Sequence, residues 1–301
     1  MAFRPPFAGI YGILYALFDA QERLDRAAMR RQTEICLSLG VQGMAALGLA
    51  TEVSKLTPTE RRAVMEWVAE DTDGRVPLAF TIYGASVDEQ IEQVRAAEAV
   101  KADWVILQPP MVGSFGAAEY IRFFGRVAAA TSLPVAIQNA PAYMGRGLSA
   151  EDIRALVTQH PNICLVKGEG PAVDIRHLIE VTEGRLPVMN GRGGLELVDN
   201  LDAGCVGMIL APDTIDYSIA AYARFVAGDP EGAEAAYRTM LPATIFIMQS
   251  IETLICYGKR LFGARAGIAI HDRAPAMRPT EFGLKLVERH AARLGSFQTT
   301  R

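Results

Sequence analysis

Asn162-Ile163-Cys164-Leu165-Val166-Lys167-Gly168-Glu169-Gly170 is the stretch on which the reading of this 301-residue chain turns. Four apolar residues run into Lys167, two glycines flank Glu169, and Pro171 closes the run. The pattern predicts a buried strand that carries an amine at its C-terminal tip. Desolvation there disfavours a charged amine, and a neutral amine in an apolar site is what Schiff-base chemistry with a carbonyl compound needs. Of the five lysines, Lys55, Lys101, Lys259 and Lys285 stand in polar or helical contexts, and Lys167 alone ends an apolar run. On this stretch alone, a lysine that snorkels to solvent or pairs with Glu169 remains an equal alternative.

Working outward, apolar runs of strand character alternate with helical patterns. The runs are Gly9 to Phe18, Val41 to Leu47, Val76 to Tyr83, Trp104 to Leu107, Leu133 to Ile137, the Lys167 strand, Leu186 to Met189 and Val206 to Leu210. Between them lie helix starts with a mechanism. Asp25, Ser86 and Ser149 are N-cap residues, and Thr57-Pro58-Thr59-Glu60 combines a Thr cap, Pro at the first position and Glu at the third. Eight such units predict a parallel α/β fold, closed as a (β/α)8 barrel rather than an open sheet. No G-x-G-x-x-G follows the first strand, which argues against a dinucleotide site there. The barrel is expected over 1–217 and a helical extension packed on it over 218–301. The extension is read as a stretch through Phe225, one long segment from Pro230 to Phe262, and a last helix near Thr280 to Leu294.

Composition excludes several function classes. Net charge is −4, so there is no basic footprint for nucleic acid. The apolar runs are too short to span a bilayer, and the N-terminus has no signal-peptide core. Cys36, Cys164, Cys205 and Cys256 lack C-x-x-C spacing and read as reduced thiols of a cytoplasmic protein. In a barrel, chemistry belongs to strand C-termini. His160, His177, His271 and His290 all fall elsewhere, so no metal is expected. Carboxylates are sparse at these tips, which disfavours paired-acid glycosidase chemistry. Gly191-Arg192-Gly193-Gly194 is weak evidence for phosphate binding, because Arg192 can equally cap or pair. Met240, Phe246 and Met248 at helical spacing read as core or subunit interface.

These strand tips resemble the dihydrodipicolinate synthase and N-acetylneuraminate lyase family over nearly the whole length. Ala16-Leu17-Phe18 stands where that family has Thr-Pro-Phe, and Gly48-Leu49-Ala50-Thr51-Glu52 where it has Gly-Thr-Thr-Gly-Glu. Gln138-Asn139-Ala140-Pro141 stands for Tyr-Asn-x-Pro, and Val166-Lys167 stands where that family has its Schiff-base lysine. The resemblance implies a (β/α)8 barrel with a helical tail, a 2-oxo acid substrate, no cofactor, and a homo-oligomer, tetramer or dimer. The departures are informative. Gln138 replaces the proton-shuttling tyrosine, and an amide is no general base. Leu49 and Ala50 replace two threonines, Met111 an aromatic residue, and Tyr143 an arginine. Dihydrodipicolinate synthase activity itself is therefore not expected. The Pro-Pro after strand four, Gln138 to Pro141, and Lys167-Gly168-Glu169-Gly170-Pro171 are closer to 2-keto-3-deoxy-L-arabonate dehydratases.

The resulting expectation is a lyase on a 2-keto-3-deoxy sugar acid, with dehydration favoured over aldol cleavage. A 2-oxo-acid-binding protein without activity is the alternative from another class. The catalytic set is Lys167, Glu169 and Gln138, with Glu169 either a catalyst or only a counter-ion. The substrate contacts are backbone N–H groups of Gly48, Leu49, Ala50 and Thr51, the Thr51 hydroxyl, Asn139, Tyr83, Tyr143, and Gly191 for close approach. Glu52 is expected to be structural, satisfying N–H groups of its own loop.

Overall fold

The computed structural model describes residues 7–298. Eight parallel strands, β1 (Gly9–Ile13), β2 (Gly43–Ala46), β3 (Leu78–Ile82), β4 (Trp104–Leu107), β5 (Val135–Asn139), β6 (Ile163–Gly168), β7 (Val188–Asn190) and β8 (Gly207–Leu210), close into a barrel in sequence order. Nearly every strand residue is buried, as expected for strands covered by helices on one face and packed side chains on the other. Closure pairs Gly9 with Gly207. A Cβ on Gly207 would lie 2.0 Å from the Gly9 carbonyl oxygen, so only glycine allows this approach. At the N-terminal end, Phe7 stacks on Trp104 and Tyr11 meets the same ring edge-on.

Helices alternate with the strands, and those expected to start at Asp25, Thr57, Ser86 and Ser149 do so, each capped by that side chain. The helices are α1 (Arg26–Ser38), α2 (Pro58–Thr72), α3 (Val87–Ala99), α4 (Ala117–Ala128), the short α5 (Pro141–Met144), α6 (Ala150–Gln159), α7 (Ala172–Val181), α8 (Leu197–Asp202) and α9 (Ile215–Val226). Asp25 accepts from the Ala28 N–H, and Thr57 and Ser149 form full capping boxes with Glu60 and Asp152. α9 packs on β1, and the expected division at 217/218 falls inside this helix.

The extension differs from the expected single long segment. α10 (Pro230–Ile247) stops, and the chain resumes as α11 (Ile251–Thr253), a π-turn (Leu254–Gly258) and α12 (Lys259–Ala266). The two arms are bent by 107°. The break is chemical: Ser250 and Thr253 cap each other's backbone N–H groups and start a new helix between the apolar stretches 245–248 and 254–256. α13 (Glu281–Leu294), capped by Thr280, closes the fold. Among the described residues no single helix is long and apolar enough to cross a membrane.

Candidate active site

Strand pleat decides which tip residues face the barrel interior. Lys167 pairs in register with Gln138, while Gly168 pairs with Asn139. Gly168 backs onto Ile175 of α7, which places the Gly168 and Asn139 positions outward. Lys167 and Gln138 therefore point inward together. Lys167 is 3% exposed, and its Nζ lies 3.3 Å from Glu169 Oε2. Gln138 Nε2 donates to the same carboxylate oxygen. Gln138 Oε1 in turn accepts from Gln108 Nε2 at 2.8 Å. The result is a buried polar chain, Lys167–Glu169–Gln138–Gln108, across the mouth from β6 to the end of β4.

Gly191 belongs to this group. A Cβ there would sit 2.4 Å from Glu169 Oε1, so the Glu169 carboxylate, and not the substrate chain expected to approach there, occupies the space that glycine leaves. The Gly191 backbone is itself fixed, because its N–H donates to Asn190 Oδ1 while Asn190 Nδ2 bonds Gly170 O and Asn200 Oδ1. Tyr143, on the short α5 that Pro141 starts, is half-buried near Arg192 and Glu169. Burial raises its pKa, and the Arg192 guanidinium partly offsets that. Arg192 pairs with Glu196 and bonds Gly170 O, which is the capping and pairing alternative to phosphate binding. Met248 and Met240 pack beneath Gly193 and Gly194 as core.

The β2–α2 loop forms the other wall. Leu49, Tyr83, Gln108 and Met111 line a cavity of about 490 Å³ that extends to Ile251 and Ile255 of the extension. The N–H groups of Leu49 and Ala50 donate to no atom among the described residues, whereas the Thr51 N–H bonds Gly48 O at 3.1 Å. A Cβ on Gly48 would meet Ile13 at 2.4 Å, so this residue backs onto β1. The Tyr83 ring lies under the Arg61 guanidinium, 4.6 Å from its centroid.

Three more expected contacts differ. The Thr51 hydroxyl is bonded to Leu14 O at 2.6 Å, so the backbone of the β1 tip already uses it. The Asn139 amide is consumed at both ends by the Leu148 backbone, at 3.0 and 2.8 Å, and fixes the loop before α6. Glu52 is structural, but by holding cations rather than loop N–H groups. It has a left-handed backbone (φ 54), with Lys259 Nζ at 2.6 Å and Lys55 Nζ at 2.5 Å. Lys259 is fully buried, and desolvation pushes its pKa down against the opposing pull of Glu52. Nearby, Tyr15 donates to Asp213 at 2.6 Å, and burial lifts the Asp213 carboxyl to about 7. Among the described residues no group of three or more His, Cys, Asp or Glu side chains is placed to hold a metal.

Sequence reasoning missed Gln108. Its signal was its place directly after the Trp104–Leu107 run, in phase with the tips of β5 and β6, but the adjacent Pro109-Pro110 drew the reading one residue too far.

The architecture and this lysine-centred mouth define a class of barrel lyases. The chain matches the Dihydrodipicolinate synthetase family over residues 6–251, and it belongs to that family. It is 26% identical over 264 residues to the Escherichia coli K12 protein named Probable 2-dehydro-3-deoxy-D-pentonate aldolase YjhH, covering 85% of this chain and 88% of that one. A second E. coli K12 relative, YagE, provisionally named a 2-dehydro-3-deoxy-D-gluconate aldolase, is 29% identical over 182 residues, 60% of each chain. The solved structure of YagE in complex with pyruvate has a TM-score of 0.90 at 24% identity, over 96% of this chain and 99% of that one. These named relatives are lyases of aldolase type, and their names specify 2-keto-3-deoxy sugar acids.

Proposed function

We propose that this protein is a Schiff-base-forming lyase for a 2-keto-3-deoxy sugar acid, and that it removes water from that acid. One observation carries the proposal: Lys167 and Glu169 are buried together at 3.3 Å in the barrel mouth. In this reading Lys167 Nζ adds to the C2 carbonyl and water leaves, giving an iminium that acidifies C3. The Glu169 carboxylate takes a C3 proton and the enamine forms. The enamine electrons then expel the C4 hydroxyl, which departs as water with the proton from Glu169. Hydrolysis of the unsaturated iminium frees Lys167 and a product with every carbon retained. The free N–H groups of Leu49 and Ala50 support a role in holding the substrate carboxylate.

A second reading is favoured by the names of the relatives. A retro-aldol step would break C3–C4 of the iminium as a base takes the C4 hydroxyl proton, releasing an aldehyde and then pyruvate. The absence of a phenol at position 138 weighs against it, since the amide there takes no proton. Tyr143 would be the remaining phenol for that step.

Borohydride trapping with pyruvate, followed by peptide mass spectrometry, tests the common core. The expected result is a reduced pyruvyl adduct on Lys167, absent in Lys167→Ala, which also loses turnover while keeping its fold. Turnover retained in that variant sinks the scheme. Product analysis on five- and six-carbon 2-keto-3-deoxy acids separates the two reactions. An intact carbon skeleton is expected, and pyruvate plus an aldehyde would replace dehydration by cleavage. Sedimentation of the purified protein tests the expected homo-oligomer.

A further inference from the structure

The polar chain at the barrel mouth determines which atom is left over. Glu169 pairs with Lys167 as a carboxylate, and a carboxylate only accepts hydrogen bonds. Gln138 must therefore turn its Nε2 toward Glu169, which leaves its Oε1 facing Gln108. Gln108 must then donate with its Nε2, and its own Oε1 is the remaining group. That oxygen is buried and bonds to nothing among the described residues. Gln108 is 1% exposed and lines the cavity of about 490 Å³. Its backbone is fixed too, because the Gln90 amide donates to Gln108 O at 2.9 Å. A held, desolvated acceptor with no donor is unfavourable by itself, and a ligand hydroxyl would satisfy it.

We infer that Gln108 is a specificity-determining residue: its Oε1 accepts a hydrogen bond from the C5 hydroxyl of a 2-keto-3-deoxy sugar acid whose C2 is attached to Lys167. The inference rests on the Schiff-base reading above. The order of groups assigns the position. Lys167 takes C2, Glu169 beside it serves C3 and the C4 hydroxyl, and Gln108 stands two hydrogen bonds further along the chain toward the cavity. The next donor on the substrate is the C5 hydroxyl. An acceptor there rejects an acid that ends in a methyl group, because the oxygen then stays unpaired.

The test compares 2-keto-3-deoxypentonate with its 5-deoxy analogue, which keeps the reacting C4 hydroxyl. For the wild-type protein, kcat/KM should fall roughly tenfold or more on the analogue, the cost of one unpaired buried acceptor. In Gln108→Leu the two acids should be used within about twofold of each other, because the acceptor is gone for both. Any disturbance passed through Gln138 to Glu169 lowers both rates alike and does not touch their ratio. Equal use of the two acids by the wild-type protein overturns the inference, and this needs no variant. A preference that survives in Gln108→Leu and in Gln108→Met, which preserves length, overturns it as well. Pyruvate trapping on Lys167 runs in parallel. An adduct without hydroxyl discrimination removes only the Gln108 role, whereas no adduct and no turnover remove both readings.

Discussion

Gly191→Ala is a one-carbon change with a calculable effect. The new Cβ would lie 2.4 Å from Glu169 Oε1, where ordinary contact begins about 1 Å further out. The Gly191 backbone is pinned through Asn190, so the carboxylate is the part that moves. Its partners are Lys167 at 3.3 Å and Gln138. With an effective dielectric of about 20, retreat by about 1 Å weakens the attraction to Lys167 by only about 1 kcal/mol of a gross 5 or so. The ion pair survives, but its geometry does not. Misplacement of a reacting group by about 1 Å costs roughly 10²-fold in rate. Overpacking of the buried contact should cost about 1–3 kcal/mol of stability. The expected result is a kcat reduced about a hundredfold, retained pyruvate trapping on Lys167, and a melting point lowered by only several degrees. Steady-state kinetics beside thermal melts provide the assay. A variant with wild-type kcat would refute both the placement of Glu169 and its role.

Other expectations address the surroundings of the site. Lys259→Met leaves the buried Glu52 carboxylate with Lys55 alone and should destabilise the fold by about 3–5 kcal/mol in denaturant unfolding, with partial recovery in Glu52→Gln/Lys259→Met. An unchanged midpoint in the single variant would show that the pair is dispensable. Burial raises the Asp213 carboxyl from 3.8 to about 7. The folded state therefore holds this proton more tightly than the unfolded state. That contribution to stability is complete below about pH 4 and is lost as pH rises to about 7, at up to about 1.4 kcal/mol per pH unit. Asp213→Asn should flatten this part of a melting-point profile, and an unchanged slope would assign the pH dependence elsewhere. Thr57→Ala removes half of a capping box and should cost about 1 kcal/mol without changing kcat.

The fold was legible because its signals are local. Apolar runs, caps such as Asp25, Thr57 and Ser149, and regular alternation require no knowledge of distant contacts. Lys167 was legible for the same reason. Pleat phase was harder. Gln138 and Asn139 are neighbours in sequence, and whether one or both face the mouth depends on where β5 ends; the expected end at Ile137 fell short of Asn139. Gln108 needed the same phase information, carried across two strands. Lys259 was not readable at all. Its partner Glu52 is 207 residues away, and an amphipathic stretch offers no sign that one of its lysines will be fully enclosed. The break at Ser250 was masked by apolar residues on both sides of the capping pair.

The Lys259–Glu52 contact also has a consequence for the order of events during synthesis. At about 5–20 residues per second, Glu52 is synthesised roughly 10–40 s before Lys259, the second of its two counter-ions, and until then Lys55 alone meets it. Arg265, which secures Asp216, comes later still, as does Arg273, which secures Glu60. For that interval Glu52 has only one of its two cations, and Glu60 is without Arg273. The β2–α2 wall of the mouth therefore gains its full set of ion pairs only after the extension has been made. A ribosome-stalled chain ending before Lys259 should expose that loop to proteases that the finished protein resists.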